Sequence, residues 1–92
     1  HMGMTDWDMN QAVIEVAEEC PNMILIGSAT DPRAIVAAIH TLGAERVCFG
    51  TDAPFRRPHV VKAMYDALLK YEVTEEEKAL VMGGNVARLF NL

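Results

Sequence analysis

Along the chain, stretches with helical hydrophobic periodicity alternate with two short runs that are apolar at nearly every position. Over residues 8–20, Met9, Val13, Val16, Ala17 and Cys20 recur at three- and four-residue steps, while Glu15, Glu18 and Glu19 take other positions. This predicts an amphipathic helix with an acidic outer face, capped by Asp6 or Asp8 and stopped by Pro21. Residues 22–28 follow, with Met23, Ile24, Leu25 and Ile26 at their centre. That run is too short for a helix and reads as a strand buried on both faces. Asp31-Pro32 then opens a second helix, because aspartate accepts from free amides at a helix start and proline needs no partner there. Ile35, Ala38, Ile39 and Leu42 form its buried stripe, and Gly43 ends it. Arg46-Val47-Cys48-Phe49-Gly50 reads as a second strand. After a loop over residues 51–58, a third helix carries Val61, Met64, Tyr65 and Leu68. Thr74 and Glu77 have the spacing of a capping box. The helix they start ends at Gly83-Gly84, and Asn85 is placed to cap a last short helix through Phe90.

Two strands joined by one helix predict a parallel βαβ unit. Such a sheet has two open edges and cannot cover both faces of strands this apolar. The chain is therefore expected to be a piece of a larger α/β protein, or a domain completed by other subunits.

Composition narrows the function. With 92 residues there is room for one domain at most. Thirteen acidic and eight basic side chains give a net charge of −5. That disfavours nucleic acid, whose binding needs clustered cations, and no basic face suggests an anionic membrane. An apolar share of 51% with 23% charged residues fits a folded chain. No apolar run approaches the roughly 18 residues of a membrane span. Residues 1–4 read as a cloning scar with no hydrophobic leader, leaving residues 5–92 as the folded unit. Cys20 and Cys48 both fall on apolar positions and read as reduced structural thiols, so a cytoplasmic protein is expected.

Chemistry points to the loop after the second strand, because ligands gather at the carboxyl ends of strands in parallel α/β folds. Asp52 lies just past such an end. Its carboxylate suits a metal ligand or general base; equally, it suits an Asx-turn that only shapes the loop. Arg56 and Arg57 could grip a substrate carboxylate or phosphate in a two-pronged hydrogen bond, or simply be solvated. His59, in the first helical turn, is disfavoured as a cation there and reads as a substrate contact or a plain surface residue. His40, at the end of the second helix, reads as structural. Gly83-Gly84-Asn85 needs no phosphate-binding role: a helix stop followed by a cap accounts for it.

The stretch Arg46-Val47-Cys48-Phe49-Gly50-Thr51-Asp52-Ala53-Pro54-Phe55 resembles the final strand and loop of the amidohydrolase superfamily, in its amidohydrolase-2 branch of metal-dependent hydrolases and decarboxylases. Residues 20–28 look like the seventh strand with its lead-in, and residues 83–90 like the closing helix. The resemblance implies an α/β fold, the C-terminal part of a (β/α)8 TIM barrel: helix, strand 7, helix, strand 8 and terminal helices. Asp52 would then ligate a divalent metal (zinc or similar) or serve as general base, with Arg56, Arg57 and His59 bordering a small-molecule substrate. Ser28 would face the same mouth without an assigned role. The family's His-x-His and its other histidines are absent from this sequence. The expectation is therefore a fragment of a metal-dependent hydrolase that is inactive alone, binds no metal by itself and forms homo-oligomers through its strand edges. Two alternatives stand beside it: a fragment of a nonoxidative decarboxylase of the same superfamily, and a small interaction module whose Arg56-Arg57 loop binds an anionic partner.

Overall fold

The computed structural model describes residues 1–92. Helix α1 (Trp7–Glu19) begins at Asp6, whose carboxylate accepts from the amides of Asp8 at 3.0 Å and Met9 at 3.2 Å. Strand β1 (Leu25–Ile26) leads to α2 (Pro32–Leu42), started by Asp31 as the sequence predicts. Asp31 accepts from the Arg33 amide at 2.9 Å and pairs with its guanidinium at 2.6 Å. A 3-10 turn (Ala44–Arg46) feeds β2 (Val47–Cys48). Helix α3 (Pro58–Glu72) follows the loop, then α4 (Glu75–Ala79), with the Thr74–Glu77 capping box formed on both sides. A π-type turn (Leu80–Gly84), kinked at Gly83, joins it to α5 (Asn85–Leu89).

The strands are parallel, with Leu25 opposite Val47 and Ile26 opposite Cys48. Leu25 and Val47 sink into one core with Ile14, Ala17, Ile35, Ile39, Tyr65, Leu69 and Val81. Tyr65 centres that core. Its ring meets Phe49 edge-on at 4.9 Å, and its hydroxyl donates to the Gly27 carbonyl at 3.2 Å. Arg46 ties the layers together: its guanidinium donates to the carbonyls of Ala17 (2.6 Å), Cys20 (2.8 Å) and Met23 (3.1 Å). It thereby adds a second donor to the Ala17 and Cys20 carbonyls, which also accept from the Cys20 and Met23 amides.

Four sequence expectations need correction. The buried face of α1 is Asn10, Ile14 and Ala17, whereas Met9 and Val16 are each 54% exposed. The stripe is displaced because the Asn10 amide turns inward, donating to the carbonyls of Met2 and Met4. Residues 1–4, set apart above, therefore pack against the body, and Met2 is buried. Second, β1 is buried on one face only, since Ile26 is 44% exposed. This departs from the doubly buried strand its apolar run suggests, and agrees with the expectation that a two-stranded sheet cannot cover both faces. Third, Asn85 caps nothing. It lies inside the helical segment, and its buried amide donates to the carbonyls of Ala44 at 2.7 Å and Val47 at 2.8 Å. Fourth, only one sheet edge is open: on the outer side of β2 the Val47 carbonyl accepts from Asn85, and just past the strand Phe49 N–H donates to the Val81 carbonyl at 2.8 Å. No helix is long and apolar enough to cross a membrane. Cys20 and Cys48 are free thiols.

Candidate functional site

Strand alternation sorts the residues at the strand exits. The Gly27 amide donates to the Cys48 carbonyl at 3.0 Å, fixing the register to the end of both strands. Side-chain positions 26, 28, 48 and 50 then share the face away from α3. Gly50 proves the sharing, because a Cβ there would overlap Ser28 Oγ and stand 2.7 Å from Ile26 Cγ2. Only glycine lets the two exits approach this closely.

Both exits turn through the left-handed region at a non-glycine residue: Ala29 at φ 50° and Asp52 at φ 61°. Aspartate tolerates that conformation better than most side chains, and its use here directs the chain into a tight turn. In that turn Thr51 Oγ1 accepts from the Ala53 amide at 3.3 Å, and the Arg56 amide donates to the Asp52 carbonyl at 3.2 Å. The Thr51 hydroxyl thus does the work that an Asx-turn would have assigned to Asp52. The half-buried Asp52 carboxylate makes no hydrogen bond or ion pair within the chain and is left available at the strand tips.

Arg56, Arg57 and His59 are all exposed, and none is in an ion pair. Arg57 directly precedes α3 without capping it, and His59 lies in its first turn. Arg56 alone lines a groove of about 160 Å³, beside Gly27, Thr30, Val60 and Met64. A larger cleft of about 340 Å³ lies elsewhere, against Phe49, Lys62, Asp66, Lys78 and Met82, where Asp66 already pairs with both lysines. His40 is structural: its Nε2 stands 2.9 Å from the Glu72 carbonyl, joining the ends of α2 and α3.

Other groups supply little chemistry. Burial pushes the Cys48 thiol up, against a smaller downward pull from Arg88, so it stays protonated and inert. Burial likewise pushes the Tyr65 phenol far up. A divalent metal does not fit these residues alone. No group of three His, Cys, Asp or Glu side chains converges anywhere, and a catalytic zinc needs about three protein donors. Sequence reasoning missed Arg46 and Asn85, whose partners lie 23 to 41 residues away. Their only local signal is a long polar side chain beside apolar runs.

Comparison with known proteins adds to this geometry. The family model described as Amidohydrolase matches residues 1–92. The crystal structure of a 2,6-dihydroxybenzoate decarboxylase complexed with 2,6-dihydroxybenzoate superposes with a TM-score of 0.70 and 25% identity, over 86% of this chain. That of the 2,6-dihydroxybenzoate decarboxylase from Rhizobium gives 0.69 and 24% over 85%. No curated protein matches. The chain spans only 23% of the length of either solved structure.

Proposed function

This chain belongs to the amidohydrolase family, and from that premise we propose that it is the C-terminal part of a (β/α)8 barrel enzyme, supplying Asp52 to the barrel mouth. The observation that carries the reading is the unengaged Asp52 carboxylate just beyond the end of β2, on a turn built by its neighbours. The family typically uses a divalent metal, but one carboxylate falls short of a donor set, so the part played by Asp52 is derived without it. A carboxyl group there moves a proton to or from a substrate held across the strand tips.

The reaction favoured is nonoxidative decarboxylation of a hydroxylated aromatic acid. Its support is the likeness to two 2,6-dihydroxybenzoate decarboxylases. In such a reaction the ring carbon that loses CO2 gains a proton, and Asp52 in its acid form is a donor for it. The exposed, unpaired Arg56 is available to hold the departing carboxylate, with Arg57 and His59 bordering the substrate. Hydrolysis is the second reading, favoured by the family description; there the ionised Asp52 takes a proton from the attacking water. By itself the chain is inactive, because the other donors belong to missing strands. The two free thiols support a cytoplasmic setting, and the open edge of β1 supports self-association.

The test grafts residues 5–92 in place of the matching segment of a 2,6-dihydroxybenzoate decarboxylase, with circular dichroism confirming a folded chimera. CO2 release is expected, falling about 10²–10⁴-fold in Asp52→Asn. A folded chimera whose turnover is indifferent to Asp52→Asn contradicts the proposal. Ester hydrolysis without CO2 release selects the second reading.

A further inference from the structure

We infer that the C-terminal residues 81–85 are a built-in cap on the outer edge of β2, seated where a further strand would pair. Because Cys48 directs its carbonyl toward β1, the flanking Val47 and Phe49 direct their backbone groups to the opposite side. Those are the groups a neighbouring strand would use. Both are already engaged: the Val47 carbonyl accepts from Asn85 Nδ2 at 2.8 Å, and Phe49 N–H donates to the Val81 carbonyl at 2.8 Å. The second Asn85 N–H reaches the Ala44 carbonyl at 2.7 Å. Asn85 is fully buried and its Oδ1 has no partner. An unpaired buried amide oxygen is unfavourable, so the side chain is held in place by its two donations. The widened turn over Leu80–Gly84 brings the Val81 carbonyl against the strand instead of leaving it inside a regular helix.

The two edges of the sheet are therefore unlike. On β1, Ile26 faces away from β2, and no element of the chain pairs with it there. A strand from elsewhere adds to β1 directly but reaches β2 only by displacing residues 81–85. Closing a barrel onto β2 makes this segment a two-state element, hydrogen-bonded to the edge in one state and released in the other. The inference stands on backbone geometry and does not depend on the activity proposed above.

Amide hydrogen exchange measured by NMR on the 92-residue chain tests it. The Phe49 amide is expected to exchange at least about tenfold more slowly than that of Ile26. In Asn85→Ala, Phe49 protection should fall about tenfold while the Gly27 amide, bonded to Cys48, keeps its own. Equal exchange at Phe49 and Ile26 in the unaltered chain overturns the inference, as does unchanged Phe49 protection in a folded Asn85→Ala. If that variant does not fold, the unaltered chain decides the matter alone.

Discussion

Gly50 and Ser28, on the exits of two neighbouring strands, lie so close that a single added methyl at 50 would occupy the space of the Ser28 hydroxyl. This closeness sets the spacing of the strand tips and, two residues on, the position of Asp52. Gly50→Ala should destabilise the chain by about 1–3 kcal/mol, the usual penalty of overpacking. Ser28→Ala should recover part of that loss but not all, because Ile26 Cγ2 also stands 2.7 Å from the added carbon. Urea unfolding of both single variants and the double variant measures the coupling, and strict additivity would refute the contact.

Asn85 gives a second prediction. Removing its amide in Asn85→Ala leaves the Val47 carbonyl without a donor, at a cost of about 1–3 kcal/mol, while the Ala44 carbonyl keeps the Val47 amide as its partner. Asn85→Asp should cost more than Ala, because a carboxylate would face two carbonyl oxygens with no proton to offer. Thermal unfolding of the two variants checks the order.

How much of this was legible in the sequence depends on the range of each interaction. Asp31-Pro32 and Thr74-x-x-Glu77 act within one helical turn, so spacing alone predicts their caps. The strands announced themselves by unbroken apolar runs, and their parallel pairing followed from the helix between them. Asn85 looked like a cap because its real partners lie 38 and 41 residues earlier. The buried face of α1 departs from the apolar pattern for a different reason: the carbonyls of Met2 and Met4, only eight and six residues earlier, draw Asn10 inward, and no hydrophobic scale ranks asparagine as a core residue. At the candidate site the strand-end position of Asp52 was legible. That Thr51 would shape the turn and leave the carboxylate unengaged was not.

Acid should weaken the fold in a defined window. Hydrogen bonds from the Arg33 side chain and amide hold Asp31 below its usual range. The Thr74 amide and hydroxyl do the same for Glu77, and Lys62 and Lys78 for Asp66. A carboxylate held lower in the folded state than in the unfolded one stabilises above the unfolded value, about 4, and loses that contribution as pH falls through the folded value. The urea midpoint should stay level from neutrality down to about pH 5 and drop below about pH 4. Glu77→Gln keeps the capping geometry but cannot titrate, so its acid limb should be shallower. A steeper limb in that variant would contradict the assignment.

The Asp31 pair itself separates cap from charge. Asp31→Ala should cost about 0.5–2 kcal/mol through loss of the helix cap. Asp31→Asn keeps an acceptor for the Arg33 amide and loses only the exposed ion pair, at a cost of about 0–1 kcal/mol. Equal losses in both variants would show that the ion pair, not the cap, does the stabilising.

The central claim is that this chain contributes one carboxylate to a site it does not complete. Metal content after equilibrium dialysis against zinc, measured together with CO2 release from 2,6-dihydroxybenzoate by the isolated chain, tests it most directly. The expected result is zinc far below one ion per chain and no CO2 release. One tightly held zinc per chain, with turnover that Asp52→Asn abolishes, would contradict it.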